Sequence, residues 1–451
     1  MAEIFPFAAY RYNPARVPFE RVLTQPYDKI TPAMQDKYSA ADPHNLIAIE
    51  KGRSLPGDTP ENNVYTRAAQ ALEEWVAKGF LVRDPAPSLY VSEQEYDLPG
   101  TTERRVRRGV VALSRIEDYA AGVVFRHEQT LAGPKADRLE LLRHTRVHTG
   151  QLFMLYADPE RAVDALAGEV SKTPPAMNIR DEYGVAHRLW VISDATRIAR
   201  LQRLLADKKL VIADGHHRYE TALAYRDECR ARLGAADRDA PHERVMMTLV
   251  NAHSEGLTIL PTHRVVTNLK GFQLKDFFGK LQPYFGIGPH PFQHARERLQ
   301  AYEAFRGHFA DAARRDGLRQ IGVYAGSDRS WSGEQAFFVL TLKPEANLAA
   351  LLPQVSPAQR TLDVVLLHRL ILERGLGISP DDVVLEKNIR YEREMDAAIA
   401  AVDRGAAQAC FVLNPVEVGQ VVKMATAGEV LPQKSTDFYP KLLSGVTIYK
   451  L

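Results

Sequence analysis

The amino-acid sequence predicts a protein of the α/β (α+β) class, with mixed sheets and more than one subdomain. Apolar runs of strand length, such as Leu210–Ala213, alternate along the chain with segments of helical periodicity, such as Tyr65–Lys78. The composition is 45% hydrophobic and 25% charged over 451 residues, which is typical of a globular protein with a sizeable core. A chain of this length is expected to form roughly two to three domains or subdomains.

Local patterns predict the individual elements in chain order. The spacing of apolar residues predicts helices over Tyr65–Lys78, Lys135–Val147, Thr196–Ala206, His217–Leu233 and Leu362–Glu373. Apolar or alternating runs predict strands over Leu152–Tyr156, Leu189–Ile192, Leu210–Ala213, Val245–Val250, Leu257–Leu260, Phe337–Leu342 and Ala409–Leu413. Alternating segments on either side of Pro99-Gly100, ending with Arg108–Ile116, predict an antiparallel hairpin.

A weak division falls near Thr267–Pro289, where the pattern loosens and Gly and Pro cluster. We therefore expect an α/β core over residues 1–270 and a C-terminal α/β subdomain over residues 271–451 that packs against it.

Charge and cysteine content favour a soluble chain in a reducing compartment. With 58 Lys and Arg against 56 Asp and Glu, the formal net charge is +2, so neither nucleic acid nor an anionic membrane is an expected partner. Cys229 and Cys410 lie far apart and outside any Cys-x-x-Cys pattern. No run reaches the ~18–20 apolar residues of a membrane span, and the N-terminus lacks a signal-peptide pattern. We expect a cytoplasmic protein without membrane contact; whether it forms a homo-oligomer stays open.

The segment Asp214–Glu220 is the strongest candidate for a functional site. It follows the apolar run Leu210–Ala213 directly, and a helical pattern starts at once after Gly215. A helix N-terminus offers unpaired amides and a positive dipole end, and glycine lets a ligand approach the backbone closely. Arg218 adds a guanidinium fork that suits phosphate or carboxylate. The segment therefore predicts a phosphate site.

The other ionisable residues of this turn have more than one interpretation. His216 and His217 are donors that can gain charge near neutral pH, and Glu220, four residues after His216, could orient its imidazole. Adjacent histidines point about 100° apart on a regular helix, which disfavours a shared metal. In the alternative interpretation these residues have only structural roles: Asp214 caps the helix, Arg218 and Glu220 form surface pairs, and the histidines are exposed.

Four further segments contain candidate residues. His127 and Glu128 lie in a polar stretch with apolar flanks, and they fit a pocket as well as a structural hydrogen-bond role. Asp28 is either a catalytic carboxylate or a helix cap near Pro32. The pair His263 and Arg264 ends a strand. Lys434 and Ser435 belong either to a loop that covers a substrate or to a plain C-terminal strand.

The chain resembles, from end to end, a large bacterial and archaeal family known as domain of unknown function 1015. The matching segments are Pro26-Tyr27-Asp28, Arg126–Thr130, Asp137-Arg138, Ile212–Leu223, Leu260–Arg264 and Lys434–Lys441. This resemblance implies no activity, because the family is defined without one.

A shorter resemblance implies a chemistry. Asp214-Gly215-His216-His217-Arg218 is similar to the signature turn of the ParB/sulfiredoxin-like fold, which holds nucleotide phosphates in partition proteins, sulfiredoxin and the free L-serine kinase. This implies a ParB-like nucleotide-binding subdomain. The chain shows no helix-turn-helix after the turn and no reactive cysteine beside it, so the kinase branch remains.

The resulting hypothesis is a nucleotide-dependent phosphotransferase that acts on a small hydroxylated metabolite, with a serine-like amino acid as the first candidate. Gly215, His216, His217 and Arg218 would bind the phosphates of ADP, ATP or CTP, and Asp214 would hold Mg²⁺ and act in catalysis. Glu128 or Asp28 would accept the hydroxyl proton. The expected substrate-binding residues are His127, Glu220, His263, Arg264, Lys434 and Ser435.

Two other functions remain open at this point. A metal-dependent hydrolase would place His127, His216, His217, His263 and an acid around Zn²⁺ or Mn²⁺. A ligand-sensing or scaffold protein would bind a nucleotide without turnover, and it would need no catalytic base.

Overall fold

A computed structural model describes residues 2–128, 132–234, 237–310 and 318–451. The chain forms two compact units, of which the first comprises Met1–Thr258, Ala425–Gly428 and Phe438–Leu451. The second comprises Ile259–Met424 and Glu429–Asp437. The domain limits at residues 270 and 271 that the sequence suggested stay a prediction.

The strands, in chain order, are β1 (Ile4–Phe5), β2 (Tyr10–Tyr12), β3 (Leu81–Arg83), β4 (Leu89–Asp97), β5 (Arg104–Arg115), β6 (Val124–Phe125), β7 (Val147–His148), β8 (Leu152–Tyr156), β9 (Met177–Arg180), β10 (Ala186–Ile192), β11 (Leu210–Asp214), β12 (Arg244–Asn251), β13 (Thr258–Leu260), β14 (His263–Val266), β15 (Phe285–Phe292), β16 (Gln320–Tyr324), β17 (Gln335–Leu342), β18 (Ile389–Glu392), β19 (Ala409–Val412), β20 (Asp437–Tyr439) and β21 (Tyr449–Lys450).

The α-helices are α1 (Phe19–Val22), α2 (Pro32–Ala41), α3 (Ile47–Glu50), α4 (Val64–Ala77), α5 (Ala132–Thr145), α6 (Ala162–Val170), α7 (Ala195–Leu205), α8 (His216–Leu233), α9 (Leu274–Leu281), α10 (Ala295–Ala310), α11 (Leu348–Leu351), α12 (Asp363–Leu366), α13 (Pro380–Val384), α14 (Met395–Asp403) and α15 (Val418–Thr426). Short 3₁₀ turns include Tyr27–Lys29, and a π-helix spans Leu367–Gly375.

A mixed sheet forms the centre of the first unit. In the described part of the chain, its strands run in the order β6-β11-β8-β12-β5-β4-β10-β9, and β1 pairs with β5. The neighbours β11 and β6, and β12 and β8, are parallel, whereas the other pairs are antiparallel. The predicted hairpin is confirmed, because β4 and β5 pair in antiparallel register.

Both faces of this sheet are covered, and the period of two along a strand explains how. Val110 and Met247 belong to one buried cluster, which includes the apolar sides of α6, α7 and α8. Their neighbours Val111 and Met246 belong to a second cluster, which includes α4 and the segment before it. A strand that is buried on both faces is expected to consist of consecutive apolar residues. Because β8 and β11 have such sequences, both strands could be predicted.

The second unit contains an antiparallel sheet of its own, with strand order β15-β17-β16-β19-β14-β18 in its described part. Helices α10 and α14 pack on one face through residues such as Phe305 and Val402. The predicted helix over Leu362–Glu373 begins as α12 and continues as the π-helix. The mixed α/β fold class is thereby confirmed. No described helix combines the length and the apolarity that a membrane crossing requires.

Replacing Gly109 with alanine should destabilise the first unit. A Cβ at this position in β5 would stand 2.7 Å from Thr248 Cγ2 and 2.9 Å from Val250 Cγ2, so the neighbouring strand must shift. We expect Gly109→Ala to lower the free energy of unfolding by about 1–3 kcal/mol in urea denaturation. Gly168→Ala in α6 is the matched control, since no atom lies within 4 Å of the new Cβ, and it should raise stability by about 0.5–1 kcal/mol. Equal effects of the two variants would contradict the packing argument.

Candidate functional site

The turn between β11 and α8 has the backbone geometry that the sequence predicted for an anion site. Residues Leu210–Ala213 are buried, and the pairing of β11 with β8 shifts register between Ile212 and Asp214. Gly215 adopts φ 94°, a left-handed conformation that glycine reaches without steric cost, and α8 begins at His216. The first amides of a helix lack intrahelical carbonyls and lie at the positive end of its dipole. The turn therefore presents backbone donors where the strand ends.

Asp214 forms ion pairs with two cations instead of capping α8. Its Oδ1 lies 3.3 Å from Lys441 Nζ, and its Oδ2 lies 3.1 Å from Arg218 Nη2. The N-cap is Gly215, so the interpretation of Asp214 as a helix cap is wrong. Burial raises the pKa of the Asp214 carboxyl, but Lys441, Arg218 and Lys29 outweigh burial and hold this pKa well below its usual range. Asp214 is therefore an anion at neutral pH.

His127 and His216 form a buried pair beside the turn. Nδ1 of His127 donates to the carbonyl of Ile212 at 2.7 Å, and the backbone N–H of His127 donates to Nε2 of His216 at 3.4 Å. Burial lowers the pKa of His127 to about 4. Burial and the His127 ring hold the pKa of His216 well below its ordinary value. The expectation that His216 gains charge near neutral pH is therefore wrong, because burial keeps this imidazole neutral.

Arg218, Ser444 and Glu50 converge on the Cα of Gly150. A Cβ placed on Gly150 would stand 3.0 Å from Arg218 Nη1, 3.1 Å from Ser444 Oγ and 3.9 Å from Glu50 Oε1. Arg218 Nη1 donates to the carbonyl of Gln151 at 2.5 Å, whereas Arg218 Nε is buried with no hydrogen-bond partner in the described structure. Buried donors are normally paired, so an unpaired guanidinium nitrogen here is a candidate contact for an anionic ligand.

Glu50 is a buried carboxylate with neutral partners. It ends α3 and is 3% exposed. Its carboxylate accepts hydrogen bonds from Thr149 Oγ1 and, at 3.3 Å, from Ser444 Oγ. Neither partner carries a charge, and the described residues include no Lys or Arg in an ion pair with this carboxylate. A buried acid without a cationic partner is costly for stability, and such groups are frequent in catalytic sites.

A small open cavity of about 50 Å³ adjoins these groups. Tyr27 and Arg138 line it, with the Arg138 guanidinium 4.4 Å from the centroid of the Tyr27 ring. Burial, followed by the charge of Asp28, raises the pKa of Tyr27 to about 12, so its hydroxyl stays protonated at neutral pH. The apolar part of the wall consists of Leu141, Leu142, Val147, Leu152 and Val245. The lining thus combines apolar side chains with several polar ones, as in small-molecule sites.

Glu220 connects α8 with α5 and with the residue that follows β6. Its Oε2 lies 2.8 Å from Lys135 Nζ, and its Oε1 lies 3.6 Å from Arg126 Nη1. The roles suggested for Glu220, orienting His216 and binding a substrate, stay predictions. His217 is half-buried, and its suggested contact with phosphate is likewise a prediction.

The two acids named as proton acceptors lie in different environments. Asp28 is exposed and Glu128 is half-buried. The residues described around the cavity include Glu50 but neither Asp28 nor Glu128. Gln129 and Thr130, which complete the family segment after Glu128, lie outside the described residues.

His263, Arg264, Lys434 and Ser435 belong to the second unit, whereas the β11–α8 turn belongs to the first. Arg264 Nη2 donates to the carbonyl of Lys434 at 3.1 Å and lies 3.2 Å from His368 Nε2. Ser435 Oγ donates to the carbonyl of Pro432 at 2.5 Å. Burial, followed by the charge of Arg264, lowers the pKa of His263 to about 4. The contacts shown here hold the second unit together, and the substrate-binding roles stay predictions.

No group of three or more His, Cys, Asp or Glu side chains in the described structure is arranged to hold a metal ion. Asp214, the suggested Mg²⁺ ligand, has a cation beside each of its oxygens. The metal-dependent hydrolase hypothesis therefore receives no support from the described residues, and a role of Asp214 with Mg²⁺ stays a prediction.

Sequence reasoning did not single out Glu50, Ser444 or Lys441 as site residues. Glu50 is the acidic end of the apolar stretch Leu46–Ile49, and such a charge in a buried segment is a usable signal. Lys441 is the last residue of the segment Lys434–Lys441, which matches the family, but only Lys434 and Ser435 of this segment were predicted as site residues. Ser444 has no pattern that distinguishes it from any other C-terminal hydroxyl.

Comparison with known proteins identifies a family for this chain. A family model described as "Protein of unknown function (DUF1015)" matches residues 4–365. A search of curated proteins finds no match.

Several solved structures are similar at low scores. A free serine kinase variant in complex with ADP has 12% sequence identity and a TM-score of 0.34, covering 76% of this chain and 90% of its own. A conserved hypothetical protein from Pyrococcus furiosus has 12% identity and a TM-score of 0.31, covering 71% and 89%. SbnI from Staphylococcus aureus, truncated at its C-terminus, has 10% identity and a TM-score of 0.31, covering 74% and 85%. At these scores, no argument about activity follows.

The buried histidines should make stability depend on pH. An unfolded chain protonates His127 at an ordinary pKa near 6.5, whereas in the folded protein this pKa is about 4. The unfolded state therefore binds more protons between these values, and the free energy of unfolding falls as the pH decreases from 6.5 to 4. We expect His127→Asn, which keeps an amide donor for the Ile212 carbonyl, to show a shallower decrease in urea denaturation at a series of pH values. Parallel curves for the variant and the wild type would contradict the neutral pair.

Proposed function

We propose that this chain, which belongs to the DUF1015 family of unknown function, is a nucleotide-dependent phosphotransferase. The observation that carries the proposal is the convergence of Arg218, Ser444 and the buried acid Glu50 on Gly150, next to the N-terminus of α8. An anion site and a proton acceptor are the two parts that phosphoryl transfer to a hydroxyl requires.

The nucleotide phosphates would lie at the turn after β11. The left-handed Gly215 has no side chain, and a Cβ there would stand 3.0 Å from Leu152 Cδ2 and 3.1 Å from Arg218 Nε. A phosphate oxygen beside this turn could accept from Nε and from the first amides of α8. The resemblance of the Asp214–Arg218 signature to the ParB/sulfiredoxin-like turn supports the same placement. ADP, ATP and CTP remain candidates.

The transfer step needs a group that accepts a proton from the acceptor hydroxyl. In the proposed step, the hydroxyl oxygen forms a bond to the terminal phosphorus, the bond from phosphorus to the bridging oxygen breaks, and the shortened nucleotide leaves with the bonding electron pair. The hydroxyl proton passes to Glu50, which Thr149 and Ser444 hold in place. Arg218, Lys441 and Lys29 lie around Asp214. Their positive charges would stabilise the negative charge that develops on the transferred phosphoryl group.

The acceptor would be a small hydroxylated metabolite in the cavity beside Glu50, with L-serine as the first compound to test. The cavity has a volume of only about 50 Å³ but is open, so a bound acceptor would extend beyond it toward the turn. Mg²⁺ bound to the nucleotide phosphates would supply additional charge neutralisation. A sensing protein that binds nucleotide without turnover is the second candidate.

Replacing Arg218 should weaken nucleotide binding. We expect isothermal titration to show binding of at least one of ADP, ATP and CTP by the wild type, and a loss of about tenfold or more in affinity for Arg218→Ala, because a charge-assisted contact to phosphate is removed. Arg218→Lys keeps the charge next to Asp214 and tests whether the fork is required.

The matched control is Arg200→Ala, which removes an exposed arginine of α7 in the same unit. Its affinity should stay within about twofold of the wild type. If the wild type binds none of the three nucleotides, or if Arg218→Ala binds as well as Arg200→Ala, the proposal fails.

Replacing Glu50 should separate binding from transfer. Glu50→Gln keeps the shape and the hydrogen bonds of the side chain but cannot accept the proton at neutral pH. We expect nucleotide affinity to change little and the rate of phosphoryl transfer to L-serine or another hydroxylated acceptor, followed by ³¹P NMR, to fall by about 100-fold or more.

Asp28→Asn and Glu128→Gln distinguish the competing proton acceptors, and Glu73→Gln in α4 controls for the loss of an exposed acid. A large loss of rate confined to Glu128→Gln or Asp28→Asn would transfer the role from Glu50 to that residue. Nucleotide binding with no transfer to any hydroxylated acceptor by the wild type would favour the sensing protein.

A further inference from the structure

Arginines form half of the lining of a second cavity in the first unit. It has a volume of about 230 Å³ and lies at the end of α5 and the C-terminal half of α8. We call it the arginine cavity, and its lining residues are Arg143, Arg146, Tyr225, Glu228, Cys229 and Arg232. None of these residues lines the cavity beside Glu50. Leu142 lies between the two, since it lines the cavity beside Glu50 and packs with Tyr225 and Cys229.

The charges around the arginine cavity are unbalanced. Arg143 is neutralised by Glu228, with its Nε 3.0 Å from Glu228 Oε2. Arg232 has Cys229 Sγ, 3.8 Å from its Nη2, as its hydrogen-bond partner, and Arg146 has no side-chain partner in the described structure. Two guanidinium groups therefore border the same space without a carboxylate between them.

Tyr225 places a hydroxyl near both of these guanidinium groups. It is buried, with 8% of its surface exposed. Burial and the neighbouring Cys229 raise the pKa of Tyr225, while the charges of Arg146 and Arg232 oppose this shift. Arg146, Arg232 and Tyr225 line the same cavity. The cavity thus combines two guanidinium groups that form no ion pair in the described structure with a neutral hydrogen-bond donor.

Helix dipoles explain only part of this arrangement. A basic residue in the last turn of a helix interacts favourably with the terminal carbonyls, which accounts for Arg232 in α8. Arg146 lies beyond the end of α5 and has φ 53°, a left-handed conformation in which glycine is the favoured residue after a helix. Its backbone is held there by hydrogen bonds to Leu142 and Leu451. An arginine side chain is kept over the cavity at a position where glycine would be more stable.

We propose that the arginine cavity binds a small multivalent anion that carries phosphate or carboxylate groups. A guanidinium fork donates two parallel hydrogen bonds to either group, and two such forks select a ligand with more than one negative charge. The Tyr225 hydroxyl donates a further hydrogen bond. This site does not depend on the proposed phosphotransferase activity, and its ligand is separate from the nucleotide at the β11–α8 turn.

Isothermal titration of the full chain with pyrophosphate and with citrate tests the site. We expect Arg146→Gly and Arg232→Ala each to weaken binding of the preferred anion by about tenfold or more. Arg146→Gly also relieves the left-handed conformation, so its melting temperature should not fall below that of the wild type. Binding of pyrophosphate alone identifies a phosphoryl ligand, binding of citrate alone identifies a carboxylate ligand, and both results support the site.

Arg200→Ala is the control and should bind the same anion within about twofold of the wild type, whereas Arg218→Ala reports any binding of the anion at the β11–α8 turn. Three results would overturn the proposal: no binding of either anion, equal binding by the wild type and both cavity variants, or a loss confined to Arg218→Ala. The last result would place the anion at the turn instead. Failure of nucleotide binding in Arg218→Ala with intact anion binding leaves this site standing, so the two proposals can fail separately.

Discussion

The carboxylate of Asp214 is half-buried at the end of β11 between Lys441 and Arg218, and the geometry of the site depends on these two ion pairs. Removing one partner of a buried pair leaves an uncompensated charge, which is strongly destabilising, so the three groups are expected to keep one arrangement. Lys441 is fixed in turn through its backbone carbonyl, which accepts from Gln94 at 2.7 Å. Arg107, whose pKa burial lowers to about 10, donates to the carbonyls of Tyr439 and Pro440. One carboxylate thus joins a strand end, a helix start and the C-terminal segment.

The turn combines charged side chains with neutral ones. His127 and His216 are neutral and provide hydrogen bonds of fixed direction, while Arg218 and Lys441 provide the positive charge. A buried imidazole pair that became charged would add to the cations already present, and burial opposes this. His127 and His216 therefore do not change the charge at the turn over the range of pH in which exposed histidines titrate.

The sequence predicted those parts of the site that are continuous in the chain. The apolar run ending at Ala213, the glycine and the helix start follow from local rules, and β11 and α8 are found where these rules placed them. The groups that complete the site come from distant parts of the chain: Glu50 from α3, Gly150 from the segment before β8, and Lys441 and Ser444 from the C-terminal region. Their proximity results from sheet order and packing, which local periodicity does not encode. The predicted charge state of His216 was wrong for the same reason, since burial is a property of the tertiary structure.

The return of the chain to the first unit has a consequence for how the site is assembled. Residues Ile259–Met424 separate the central sheet, which ends with β12, from the segment Phe438–Leu451 that supplies Lys441 and Ser444. During synthesis, the strands, the glycine turn and Glu50 are all produced before these two side chains. A chain interrupted before Phe438 would contain the strands, the glycine turn and Glu50, but Asp214 would lack Lys441 as its counter-charge.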